Sequence, residues 1–247
     1  MRILAVIPAR YGSTRFPGKP LADIAGKTLI QRVVERAARA RLLTDLVVAT
    51  DDERILNHVL ALGHRAVMTR ADHPTGTDRL AEVARTLTDY HVYLNIQGDE
   101  PLLHPEHVDA LAQAFVDDPE LPIATLVHAL HKREDLHSPT VAKVVRSAAG
   151  DALYFSRSPI PYLRNAPPDA DWTRLHPYWK HIGLYGFSAA ALQQVAALPL
   201  GSLEQAESLE QLRWLEAGLR IHTRIVTGET QPVDLPEDVQ KVVGMLG

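Results

Sequence analysis

Four short apolar runs, separated by stretches of helical period, leave this chain few ways to fold. They are Arg2 to Ile7, Leu46 to Thr50, Arg65 to Thr69 and Val92 to Ile96. The first does not alternate polar with apolar residues, the pattern of a strand buried on both faces. Between and after the runs, apolar residues recur at helical spacing: Leu29, Ile30, Val33, Val34 and Ala37, then Leu80, Val83, Ala84 and Leu87, then Val108, Leu111, Ala112 and Phe115. Thr28 with Gln31 forms a possible capping box, Asp51 can cap the helix after the second strand, and Pro105 suits the first turn of another. Strands and helices alternating at this spacing predict βαβ units and a mostly parallel sheet, hence an α/β fold.

After Ile123 the rhythm changes. Segments near 123–128, 141–146, 152–156 and 182–188 read as strands with few helices between them. Residues 158–178 are rich in Pro, Asp and Arg and carry Trp172 and Tyr178. They predict an extended loop or hairpin within a mixed α+β half, and a long irregular segment of this kind usually serves function or an interface. Leu203, Ala206, Leu209, Leu212 and Leu215 predict one helix, Arg220 to Val226 a strand, and Pro236 to Met245 a terminal helix. With 247 residues and no flexible linker, one domain is expected, with residues 1–122 and 123–247 as its two halves.

The net charge of −4 supplies no global basic field for nucleic acid. The absence of cysteine excludes disulfides, thiolate metal sites and a cysteine nucleophile. No apolar run approaches the ~18 residues of a membrane helix, and no signal peptide precedes the first strand, so a cytoplasmic protein is expected.

Positive charge is instead local. The stretch PARYGSTRFPGKPL, Pro8 to Leu21, follows the first strand and carries Arg10, Arg15 and Lys19. Gly12 and Gly18 permit left-handed backbone or close approach, while Pro8, Pro17 and Pro20 restrict the chain. Loops at the carboxyl ends of strands are where α/β proteins bind ligands. Cations on such a loop suit a polyanion such as a triphosphate; the same residues also suit a solvated basic loop. Neither a Walker A loop nor a dinucleotide glycine fingerprint is present.

Other candidates sit at strand ends. Gln97, Gly98 and Asp99 follow the fourth strand, where Gly98 would let a ligand approach and Asp99 would offer Mg²⁺ a hard oxygen. Asp99 equally fits a turn before Pro101. Asp234 is a second carboxylate or a cap for the terminal helix. In Arg70 to Arg79, Gly76 and Thr77 could meet a base and Arg79 a phosphate or sugar, while Thr75 or Thr77 could cap the helix. Arg157, His181, Glu210 and Gln211 carry polar chemistry near predicted elements, and their spacing alone does not show that they converge.

Taken together, PARYGSTRFPGKPL, ATDD, MTRADHPTGTDRLAE, NIQGDEPL, AKVV, ALYFSRSPIPY, HIGLYGF, SLEQLRWLEAGLRIH and VDLPEDV resemble the 3-deoxy-manno-octulosonate cytidylyltransferase family, the CMP-Kdo synthetases. The matches run in order from residue 5 to about 240. The resemblance implies a homodimeric, Rossmann-like nucleotidyltransferase fold, with a mostly parallel mixed sheet, helices on both faces and an extended α+β insertion. It implies that CMP passes from CTP to the anomeric hydroxyl of Kdo for lipopolysaccharide assembly, with 8-amino-Kdo or a sialate as the alternative acceptor. Arg10, Arg15 and Lys19 match the family's phosphate loop, Gln97-Gly98-Asp99 its base-reading and metal turn, and Asp234 its second Mg²⁺ ligand. Ala9, Gly76 and Arg79 join the expected nucleotide contacts, with Lys19, Arg10 and Asp99 as the catalytic groups. Arg157, His181, Glu210 and Gln211 fall in segments that line the family's sugar pocket. Pro74 and Asp78 depart from the family's HxxGTxRL pattern, and the stretch around Thr140 departs before AKVV.

Overall fold

The structure is a computed structural model that describes residues 1–246. In chain order its strands are β1 (Ile3–Ala9), β2 (Asp23–Ile24), β3 (Lys27–Thr28), β4 (Asp45–Thr50), β5 (Ala66–Met68), β6 (Val92–Asn95), β7 (Ile123–Leu130), β8 (Lys143–Arg146), β9 (Ala152–Ser156), β10 (Tyr178–Ser188) and β11 (Ile221–Val226). Its α-helices are α1 (Leu29–Ala37), α2 (Glu53–Ala61), α3 (Gly76–Thr86), α4 (Pro105–Asp117), α5 (Arg133–His137), α6 (Ala189–Ala196), α7 (Ser202–Glu207), α8 (Gln211–Glu216) and α9 (Pro236–Leu246).

The main sheet runs β11-β7-β10-β6-β1-β4-β5, with β8 and β9 extending from β10. β1 pairs in parallel with β4 on one side and β6 on the other, and β11 pairs in parallel with β7. β10 is antiparallel to both β6 and β7. The sheet is therefore mostly parallel and mixed, as the alternation of elements predicts.

Why β1 lacks polar alternation is visible in its packing. Ile3, Ala5, Ile7 and Ala9 join a cluster with α1, α2 and α4 on one face. Leu4 and Val6 join a second cluster with α3, α6 and α8 on the other. Both faces are covered by helices, so every side chain of the run must be apolar. Burying each large aliphatic side chain contributes about 1.5–3 kcal/mol, against the entropy of ordering it.

Some expectations are corrected. Asp52, not Asp51, caps α2, accepting from Arg54 N, because Asp51 turns instead to Arg79. The single helix expected over 203–215 is two, α7 and α8, broken at Ser208, whose φ of 52° is left-handed. Thr28 caps α1 through Gln31 N, but the Gln31 side chain goes to Glu35, so the box is half made. Residues 157–177 hold no strand and a single 3-10 turn, Trp172–Arg174. Beside them Leu130, Leu136 and Tyr178 form a small core of their own with Val141, Leu163 and Trp172.

Candidate active site

Because β1 has parallel neighbours on both sides, the loops leaving β1 and its neighbours diverge at their carboxyl ends and open a crevice. Its walls are the turn from Pro8 to Arg10, the first loop with Arg15 and Lys19, the start of α3 at Thr75 and Gly76, the turn Gln97-Gly98-Asp99, and Asp234.

The first loop is held from within. The Tyr11 carbonyl accepts from Ser13 N and Gly18 N, and the Arg54 guanidinium lies 3.4 Å from the centre of the Tyr11 ring. Gly18 has a φ of 72°, and a Cβ there would lie 3.0 Å from the Tyr11 ring, so glycine is required on both counts. This turn starts the 3-10 segment Lys19–Leu21 and sends Lys19 inward, while Arg10 and Arg15 stay exposed on the rim. Gly12 has neither a positive φ nor a close neighbour, so the freedom expected of it is not used. Gly98 lines the crevice and is required by the fold as well: a Cβ would come within 2.6 Å of the Pro8 carbonyl oxygen. Glycine lets the turn after β6 lie against the end of β1.

Lys19 joins the two carboxylates that lie 135 positions apart. Its Nζ donates to Asp99 Oδ2 at 2.9 Å and to the Val233 carbonyl at 2.8 Å, and lies 3.7 Å from Asp234 Oδ1. Asp234 also accepts from Arg15 at 3.3 Å. The cap reading of Asp234 does not hold, because Asp238 Oδ2 accepts from the backbone N–H groups of Asp234 and Leu235. Asp234 is thereby left free to face the cations. Next to this group Glu100 is half-buried; desolvation pushes its carboxyl above the usual range, and its buried Oε2 has no hydrogen-bond partner.

On the opposite wall, Thr75 caps α3 and Asp78 returns the bond to the Thr75 N–H, so the unusual Asp78 completes a capping box. Arg79 lines the crevice, but its guanidinium turns back to Asp51, Thr69 and the Arg70 carbonyl and is 3% exposed. It fastens the wall rather than reaching outward. His73, also on the wall, is paired with Glu82.

A second polar group lies across the β6–β10 ladder. β10 carries a bulge between Ile182 and Tyr185 where it pairs with β7. In a regular strand residues four apart stand ~13 Å from each other; here the His181 and Tyr185 ring centres are 5.2 Å apart. The bulge also turns the carbonyls of Ile182 and Leu184 onto Thr125 Oγ1, which meets His181 Nε2 at 3.0 Å. Burial pushes His181 down to about 3, so the ring is neutral. Tyr185 is the ladder partner of Asn95, and its hydroxyl, Asn95 Oδ1 and Gln211 Nε2 are all buried without an aligned partner. Glu210 accepts from Thr77 and Arg213, and burial raises its carboxyl above the usual range. Gln97 sits on the seam between the two groups, donating to the Gly183 carbonyl at 2.9 Å.

Of the four residues in the second half, His181 packs on Tyr185, the ladder partner of Asn95, Glu210 reaches Thr77 at the start of α3, and Gln211 follows Glu210 with its Nε2 buried. Arg157 stands apart. Its guanidinium binds the carbonyls of Glu207, Ser208 and Pro139, holding the break between α7 and α8 that presents Glu210 and Gln211. Tyr185 and Asn95 were not singled out from sequence. Gly183 inside a strand is the signal that marks the bulge, and a lone Asn in the apolar run of β6 is the signal for its buried polar atom.

The arrangement offers cations and carboxylates to a polyphosphate on one side and unpaired hydrogen-bonding atoms to a polar molecule on the other. A family model described as cytidylyltransferase matches residues 4–221. A 3-deoxy-manno-octulosonate cytidylyltransferase of Geobacter sulfurreducens is 48% identical over 100% of both chains. One from Escherichia coli is 47% identical over 99% of this chain and 96% of the relative. Among solved structures, a CMP:2-keto-3-deoxy-manno-octonic acid synthetase complexed with CTP superposes with a TM-score of 0.93 at 47% identity, over 100% of this chain and 98% of that one.

Proposed function

This chain belongs to the 3-deoxy-manno-octulosonate cytidylyltransferase family, and on that premise we propose that its crevice transfers CMP from CTP to the anomeric hydroxyl of Kdo, releasing pyrophosphate. The observation that carries the residue assignment is Lys19 held between Asp99 and Asp234 at the carboxyl ends of β1 and β6. The product would serve lipopolysaccharide assembly.

Attack on the α-phosphorus builds negative charge on its oxygens and on the departing pyrophosphate. Arg10 and Arg15 on the rim and Lys19 inside the crevice meet that charge. The Ala9 backbone, Gly76 and Gln97 border the space for the base, with Arg79 fastening the wall behind them. Gln97, His181, Tyr185, Glu210 and Gln211 orient the sugar acid, with Arg157 supporting the last two. Holding both substrates in line removes much of the entropic barrier.

The donor set fits Mg²⁺: two hard carboxylates converge on one ammonium group, and among the described residues no cluster of three or more metal-ligating side chains exists, so phosphate oxygens would complete the shell. Asp99 and Asp234 would hold the ion. When bound, Mg²⁺ supplies charge against the triphosphate and favours ionisation of a coordinated hydroxyl. Lys19 would then release the carboxylates and turn to phosphate.

A homodimer is part of the same proposal. Leu153, Tyr162 and Leu175, exposed by 60%, 74% and 58%, lie in the second half around the irregular 157–177 segment and offer apolar surface to a second copy. Among the described residues no helix is long and apolar enough to cross a membrane. A cytoplasmic site of action follows from the use of CTP.

Pyrophosphate release tests the reading, with CTP against a panel of Kdo, 8-amino-Kdo and sialate. Kdo should give the highest kcat/KM. Preference for another acid would move the assignment to that sugar, and equal turnover of ATP with CTP would sink the nucleotide assignment.

A further inference from the structure

Asp234 has no helix or strand beneath it. It rides on the segment from Thr227 to Leu235 that links β11 to α9. Within that segment the contacts of Val233 already belong to the site: its N–H donates to the Asp99 carbonyl at 2.9 Å, and its own carbonyl accepts from Lys19. The other end of the segment is fixed by different residues.

Two histidines at the start of α4 hold it. His107 is 1% exposed, and its Nε2 lies 2.7 Å from the Thr227 carbonyl. A carbonyl only accepts, so Nε2 carries the proton. Nδ1 is then the bare nitrogen, and it is buried with no partner. Burial lowers the pKa of the ring, which keeps it in this neutral form. His104, at the cap position of α4, makes no cap bond to the helix and meets the Glu229 carbonyl through Nε2 at 3.2 Å. The two rings are 4.9 Å apart. Between their carbonyl partners lies Gly228, with φ of 91°, where a Cβ would stand 3.0 Å from the His104 ring. Lys180 of β10 adds an ion pair to Glu229 at 3.3 Å.

A helix cap position filled by a side chain that ignores the helix, and a buried histidine spent on a distant carbonyl, are both explained by the segment they grip. We infer that His104 and His107 are positioning residues for the reaction: they latch the 227–235 segment so that Asp234 faces Asp99 across Lys19. The inference rests on the proposed role of Asp234. Without the latch, the segment would be held at Val233 to Leu235 and by the Lys180–Glu229 ion pair, but its start would come loose from α4, and the Asp234 carboxylate would sample positions out of reach of an ion held by Asp99.

The test uses the full chain. His107→Phe keeps a ring in place and removes the donor, and His107→Gln restores an N–H near the Nε2 position. His104→Ala, at a partly exposed site, covers the case in which the buried substitution fails to fold. Amide hydrogen exchange over 227–235, without ligands, should quicken about fivefold in His107→Phe and His104→Ala, the worth of one net hydrogen bond, and return toward wild type in His107→Gln. The Mg²⁺ concentration for half-maximal turnover should rise by a similar factor at saturating CTP and Kdo, while KM for CTP measured at saturating Mg²⁺ holds within about twofold. Unchanged exchange in both His104→Ala and His107→Phe would overturn the latch. So would faster exchange with an unchanged Mg²⁺ requirement, since the segment would then position nothing that the reaction uses. The failure of the proposed function looks different: Asp234→Asn in the otherwise intact chain would leave turnover untouched.

Discussion

The crevice and the buried polar group that meets it at Gln97 solve opposite problems. On the phosphate side, charge is balanced before any ligand arrives: Lys19 neutralises Asp99 and Asp234, and Arg15 shares Asp234. In the polar group proposed as the sugar side, hydrogen-bonding capacity is left over: the Tyr185 hydroxyl, Asn95 Oδ1 and Gln211 Nε2 are buried and unpaired. An unpaired buried polar atom costs about 1–3 kcal/mol. The contrast teaches where each side stores its binding energy. The phosphate side must exchange existing partners for new ones, so its substitutions should act mainly on turnover. The sugar side makes bonds it lacked, so its substitutions should act mainly on KM and should relieve, not strain, the free protein.

The largest effect is expected from the carboxylates. Asp99→Asn should lower kcat roughly a thousandfold, the scale of losing one strong electrostatic element of an active site. Asp234→Asn should do much the same, and the double variant little more, because groups acting as a unit are non-additive. EDTA should abolish wild-type turnover. Additive losses in steady-state kinetics would show that the two carboxylates serve separate sites.

Next in size is Lys19→Ala, which should lower kcat about a hundredfold and, by leaving Asp99 and Asp234 without their shared partner, lower stability by about 1–3 kcal/mol. Normal turnover would return the loop to a solvated, basic role.

Tyr185→Phe probes the other side. It should raise KM for the sugar about fivefold, one hydrogen bond's worth of affinity, with kcat changed less. Its melting temperature should stay level or rise, because an unpaired hydroxyl is removed and no bond is lost. A clear fall in melting temperature would mean that the hydroxyl is satisfied in the free protein, and the contrast between the two sides would fail.

The smallest effect is on pH dependence. An unfolded histidine titrates near 6.5, and His181 in the fold titrates near 3. Between these values the unfolded chain holds the extra proton, so stability falls as pH is lowered through that window. His181→Gln should flatten the plot of melting temperature against pH from about 6.5 downward, and an unchanged slope would place the dependence in other groups.

How much of this was legible in sequence follows from the range of the interactions. β1, α1 and α4 were read correctly because their apolar periodicity is set by the two clusters that flank the sheet. The break at Ser208 was not, because it depends on Arg157, some fifty positions earlier, taking carbonyls that a continuous helix would use itself. Asp99 and Asp234 could be nominated from their places after strands, yet only the fold shows them sharing one ammonium group. Gly98 could be marked as a turn glycine, yet the contact that requires it, with the Pro8 carbonyl, lies between strands and no local pattern encodes it. The resemblance in sequence named the sugar-side segments, whereas the bulge that brings His181 and Tyr185 together was written only as a glycine inside a strand.

That bulge separates what the sheet needs from what the proposed acceptor side needs. It adds two residues, Gly183 and Leu184, between ladder partners Ile182–Leu126 and Tyr185–Thr125. Two is an even number, so deleting both would leave every later side chain on its present face and make the ladder longer and more regular. His181 and Tyr185 would then stand two residues apart on one face, ~6.6 Å from each other, so their pairing would survive; what would go are the Gly183 carbonyl that accepts from Gln97 and the Leu184 carbonyl that accepts from Thr125. A short, in-frame loss in one strand would therefore strip two backbone anchors from the polar group beside Gln97 and leave β1, its loop and the two carboxylates in place.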